Sequence, residues 1–182
     1  TRLAMEHKTL IIGVGNRYRN DDGVGLFVAG KLRGCVSPSE TVIECTDDGA
    51  ILMESWSGFD SVVLVDAVAS TKNPGTVERF DIRNTPLPPE LFHCTTHAFG
   101  VAAAVELART LNTLPPRFVL YGIACSEFGM GTELSPAVIK AADRAVDMIL
   151  EEIESAAGHP AGRDGKNYGK PMNRYAFGER TL

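Results

Sequence analysis

Two aspartates and a histidine in this 182-residue sequence sit where chemistry is usually done. Asp22 follows an apolar run, Leu10 to Gly13, and a Gly13-Val14-Gly15-Asn16 turn, just before a helical pattern opens at Val24. Asp66 interrupts the continuous apolar run SVVLVDAV, Ser61 to Val68, and His97 stands just before another helical pattern. Two carboxylates and one imidazole make a mixed donor set. Such a set suits Ni²⁺, Zn²⁺ or a similar ion with open coordination positions better than Ca²⁺ or Mg²⁺, which prefer oxygen alone. The three residues lie far apart in the chain, so they meet only if the fold brings strand ends to a common edge. Each also has an ordinary reading. One of Asp21 and Asp22 can cap the helix that follows, Asp66 can be solvated at a strand end, and His97 can be a satisfied ring at a helix start.

The elements that would have to position these groups can be read from periodicity. Leu10–Gly13 is a buried strand and Val24–Leu32 a helix closed by Gly34. Thr41–Thr46 is a β-branched strand that runs into the turn Asp47-Asp48-Gly49, with a short helix over Ile51–Trp56. Ser61–Val68 suits a strand buried on both faces, and Val77–Ile82 an edge strand. Arg83–Thr96, with three prolines, reads as an irregular loop. Over Ala98–Leu111 the spacing of Phe99, Ala103, Leu107 and Leu111 predicts a helix, and Arg117–Ile123 is a further strand. Leu134-Ser135-Pro136 opens a last helix with Ser135 as N-cap, Leu134 stapled on Ile139, and Ile139, Ala142, Val146, Ile149 and Ile153 buried. Alternating strands and helices imply an α/β sandwich with a largely parallel sheet, whose ligands gather at the carboxyl ends of the strands. Residues 1–155 are expected to form one domain. Residues 156–182, aperiodic and glycine-rich, are expected to form a flexible basic tail.

Composition narrows the partners. The chain is 44% apolar and 23% charged, as in an ordinary globular protein, and no run approaches the ~20 apolar residues that cross a bilayer. The first residues lack the basic-then-apolar order of a secretory signal. Four cysteines (Cys35, Cys45, Cys94, Cys125) without C-x-x-C spacing suggest reduced thiols, so a cytoplasmic location is expected. From Ala156 onward five basic residues face two acidic ones, which leaves +3 on the tail and −8 on the rest of the −5 chain. An acidic body is a poor partner for nucleic acid or an anionic membrane and a better one for a cation or a basic peptide.

Other site types find little support. Gly13-Val14-Gly15 begins a dinucleotide fingerprint, but Tyr18 stands where its third glycine belongs. Glu44 and Asp47 lie near enough to the second strand's end to keep a nucleotide reading open. A Walker loop and a Gly-x-Ser-x-Gly elbow are both absent. Cys94 is a conceivable nucleophile, and Cys94 with His97, near His93, offers half a zinc site at most.

Taken together, the residues closely resemble the hydrogenase maturation proteases, endopeptidases that trim the C-terminal extension from the large-subunit precursor of NiFe hydrogenase. The resemblance runs through Gly13-Val-Gly-Asn16, Asp21-Asp22-Gly23-Val-Gly25, Val65-Asp66-Ala67, Asn73-Pro-Gly-Thr76 and Thr95-Thr96-His97, covering roughly residues 9 to 155 in order. It implies a three-layer αβα sandwich and a hydrolase acting on that precursor as a cytoplasmic monomer. It also implies that Asp22, Asp66 and His97 are the catalytic and metal-contacting residues. In some relatives the first of these is Glu; here it is the shorter Asp. The resemblance further implies that nickel arrives in the substrate, and that zinc or cadmium could substitute for it in a crystal. Asn16, Asp21 and the loop Asp47-Asp48-Gly49 correspond to substrate-recognition positions, with Ala50 where the family loop has Thr. A non-catalytic nickel-binding accessory, or metallochaperone, would use the same three ligands.

Overall fold

The computed structural model describes residues 8–70, 73–88 and 99–156. Its strands are β1 (Thr9–Val14), β2 (Glu40–Cys45), β3 (Ser61–Ala69), β4 (Val77–Asp81) and β5 (Arg117–Cys125). Its helices are α1 (Val24–Leu32), α2 (Gly49–Trp56), α3 (Val101–Thr110) and α4 (Pro136–Ala156). The strands form one sheet in the order β2-β1-β3-β5-β4. All neighbours run parallel except β4, an antiparallel edge on β5. This is the mostly parallel α/β sheet that the alternating pattern implied.

Strand residues alternate between the two faces. Leu10, Ile12, Val62, Leu64, Phe118 and Leu120 pack beneath α2 and α3, where Trp56 meets Phe118 edge-on at 4.9 Å between ring centroids. Ile11, Val63, Val65, Val119, Tyr121 and Ile123 pack against α1 and α4 on the opposite face. With both faces covered, the central strands need continuous apolar sequence, which explains why SVVLV carries no alternation. At Gly25, α1 meets the sheet with bare backbone. A Cβ on Gly25 would lie 2.2 Å from the Val14 carbonyl oxygen and 2.4 Å from that of Val65. Only glycine fits there.

Two helices expose different residues from those expected. On α3 the buried stripe is Val101, Ala104, Val105 and Ala108, while Leu107 and Leu111 face solvent. Both stripes keep helical spacing, and the small residues win because they let α3 lie close to the sheet and α2. On α4, Ile139 is exposed and Val138 is buried in its stead, beside Ala141, Ala142, Ala145, Val146, Ile149 and Ile153. The far end of that helix is tied to the sheet by Glu152. It receives Arg79 (2.6 and 3.0 Å), Tyr121 (2.9 Å) and Arg117. The described helices include none long and apolar enough to cross a membrane. The tail from residue 157 onward lies outside the described residues.

Candidate functional site

The chain leaves β1 for β2 by way of α1 on one face, then returns across the sheet by way of α2 on the other to reach β3. Between β1 and β3 the direction of winding reverses, and a crevice opens at the carboxyl ends of such strands. Two of the expected site residues flank it, and a third carboxylate joins them from β2.

Asp22 lies in a 3-10 turn, Asn20–Gly23, between β1 and α1. The Asn16 N–H donates to the Asp22 carbonyl (3.3 Å), and the Asn16 side chain accepts from the Tyr18 N–H (3.0 Å). The Arg19 guanidinium stands 3.8 Å from the Asp22 carboxylate. Asp66 is the first residue of β3 past its pairing with β1, which ends at Gly13 and Val65. It shares the strand face that looks toward α2 and α3, is only 4% exposed, and accepts the Ala67 N–H at 2.9 Å. Asp47 follows β2 by two residues.

The electrostatics tie these three together. Burial first, then the charges of Asp22 and Asp47, push the Asp66 carboxyl well above the ordinary carboxylate range, with the Ala67 N–H opposing them. The Asp22 carboxyl is also raised, chiefly by burial and further by Asp47, against the pull of Arg19 and the Asn16 N–H. Crowded carboxylates in a desolvated place either hold protons or attract a cation. Among the described residues no three His, Cys, Asp or Glu side chains are placed to hold one ion. His97, the third expected ligand, lies outside the described residues, as do His93 and Cys94.

The expected recognition residues divide. Asp48 is the N-cap of α2, accepting from the Ala50 N–H (2.9 Å) and the Ile51 N–H (3.2 Å). Gly49 donates its N–H to the Phe99 carbonyl (2.8 Å), and a Cβ on it would meet the Phe99 ring at 2.6 Å. The loop after β2 thus anchors the segment that enters α3, a contact for which the sequence carries no signal. Asn16 organises the Asp22 turn.

Asp21 corrects its expectation. It is fully buried, and its oxygens accept from the Ser135 N–H (2.7 Å), the Ser135 hydroxyl (3.1 Å) and the Glu127 N–H (3.3 Å). A carboxylate so enclosed offers a substrate no surface; it staples the turn after β1 to the start of α4. Nor does either aspartate cap α1, whose N-cap is Gly23 with no side-chain bond.

Carboxylates gathered at the switch point of a doubly wound αβα sandwich define the class: an α/β protein with charged groups at its strand ends. Comparison with known proteins then supplies the family. The model of the hydrogenase maturation protease family matches residues 28–152, and the chain belongs to that family of endopeptidases. A Methanocaldococcus jannaschii protein provisionally named as a hydrogenase maturation protease is 32% identical over 154 residues, spanning 80% of this chain and 96% of its own. The coenzyme F420 hydrogenase subunit delta of Methanothermobacter thermautotrophicus is 27% identical, over 83% of this chain and 98% of its own. In structure, the hydrogenase maturating endopeptidase HybD from Escherichia coli superposes with a TM-score of 0.70 at 21% identity. It covers 82% of this chain and 93% of its own, a likeness of fold.

Proposed function

We propose that this endopeptidase removes the C-terminal extension of a NiFe hydrogenase large-subunit precursor once nickel has been inserted, and that it reads the substrate-held nickel through Asp22, Asp66 and His97. The observation that carries the reading is the placement of Asp66, 4% exposed at the point where β3 outruns β1, within the field of the Asp22 and Asp47 carboxylates. An open set of oxygen donors binds a free ion weakly, yet completes the coordination of one already gripped by the precursor. Cleavage then waits on metal insertion. His97 enters as the third group through the likeness of Thr95-Thr96-His97 to the family's pattern.

In this reading the seated ion fixes the scissile segment against the crevice. Water attacks the peptide carbonyl while a carboxylate or His97 takes its proton. Arg19 balances part of the charge on Asp22 until the substrate arrives.

The test is incubation with matched precursor, nickel-loaded and nickel-free, followed by intact mass. Loss of a C-terminal peptide from the loaded form alone is expected; cleavage of both forms equally, or of neither, contradicts the reading. A second reading, a nickel-binding accessory that does not cut, draws on the relative named as a hydrogenase subunit. It predicts unchanged precursor mass together with nickel transfer.

A further inference from the structure

Resting on that reading of the substrate, we propose that Tyr18 and Met130 form an apolar lip beside the carboxylate crevice, and that the lip docks the folded surface of the hydrogenase precursor next to its scissile extension.

These are the two most exposed large apolar side chains among the described residues, Met130 at 86% and Tyr18 at 62%. They come from loops more than a hundred residues apart, and the fold brings them together. A parallel bridge pairs Arg19 with Gly131, which sets residues 18 and 130 side by side. Gly131 donates its N–H to the Tyr18 carbonyl (3.0 Å), and the Asn20 N–H returns the bond to the Gly131 carbonyl (3.0 Å). Unusual backbone is spent on this junction. Asn20 has φ 48°, and Gly131, at φ 156°, leaves room for the Asn20 side chain where a Cβ would sit 2.1 Å from its oxygen. Beneath it, the buried Asp21 staples the same two loops through Glu127 and Ser135.

The lip is therefore a stiff platform, and stiffness matters because a preorganised surface loses little entropy on docking. Its apolar side chains have no role in the core. Tyrosine and methionine are residues that interfaces favour, the first as an amphipathic anchor and the second as an adaptable one. Nearby charge is already engaged. Arg17 is paired with Glu44 (3.0 Å) and Arg19 faces Asp22. The occupant follows from position. The turn that carries Tyr18 is the same turn whose Asn16 N–H bonds Asp22, so a protein that presents a metal to Asp22 lies against this lip.

Steady-state cleavage of nickel-loaded precursor by the full chain tests this, using Tyr18→Ala, Met130→Ala and the double variant, with Ile139→Ala on the solvent side of α4 as control. Each lip variant is expected to raise KM about tenfold, as interface anchors do, with kcat moved less than twofold and melting unchanged. The control should match wild type. Wild-type KM in all lip variants overturns the lip while leaving the protease reading intact. Failure of the wild-type chain to cut any loaded precursor overturns that reading instead. If sedimentation shows wild-type self-association that the lip variants abolish while precursor KM is unchanged, the lip serves a second copy of the chain and the proposal falls.

Discussion

Replacing Asp66 with asparagine should stabilise the fold while abolishing cleavage. Asp66 is 4% exposed and its one described hydrogen bond is from the Ala67 N–H, so the folded protein bears the cost of a desolvated carboxylate near two others. Asparagine keeps an oxygen for that N–H and turns a donor amide toward a region rich in carboxylate. Removing a poorly compensated buried charge is worth about 1–3 kcal/mol. In a domain of this size each kcal/mol moves Tm by roughly 2–4 °C, so a rise of about 2–12 °C is expected at pH 8. The sign of the pH dependence follows from linkage. A carboxyl whose folded pKa is raised imposes no penalty below its unfolded value of 3.8, where both states are protonated, and an increasing one as pH climbs through the folded pKa. Melting curves from pH 4 to 8 should thus show wild type and variant converging at the acid end and separating toward neutrality. A variant less stable than wild type at pH 8, or a gap that ignores pH, would refute the argument that burial and like charge dominate at this position.

Three further outcomes follow from the packing. Asp21→Ala should cost about 2 kcal/mol in urea unfolding, because the part-buried N–H groups of Ser135 and Glu127 lose their acceptor. Gly25→Ala should cost about as much by forcing α1 off the Val14 and Val65 carbonyls, and should lower expression of folded protein. Glu152 is held down to about 2, first by Arg79 and then, against burial, by Arg117 and Tyr121. Its contribution is present above its unfolded value of 4.5 and lost as pH falls toward 2, and with both arginines 38% exposed it is about 1–2 kcal/mol. Glu152→Gln should flatten that acid limb of the stability curve.

Most of the architecture was legible because strand burial leaves a plain mark. A run such as SVVLV has few folded uses, and Val24–Leu32 ends where its glycine says it should. The phase of α3 was not legible. Its alanine stripe and its leucine stripe are equally periodic, and only the closeness of the neighbouring layers selects alanine. Ile139 yielded to its neighbour Val138, which falls in line with the buried Ala141, Ala142, Ala145 and Ile149 of this amphipathic helix. At the site, adjacent aspartates look alike on paper. The fold separates them by turning Asp21 inward to α4 and leaving Asp22 beside Arg19 and near Asp66, a distinction set by a loop more than a hundred residues away. Asp48 caps α2 while its neighbour Asp47 reaches the Asp66 field, a division that turns on backbone angles rather than residue type.

The central claim is that Asp22, Asp66 and His97 converge on one transition-metal ion. A crystal of the full chain soaked in cadmium, a stand-in for the precursor's nickel, tests it through anomalous scattering. The account predicts a single strong peak ligated by both aspartate carboxylates and the His97 imidazole. A peak held by other residues, or one that His97 or Asp66 does not touch, would contradict it.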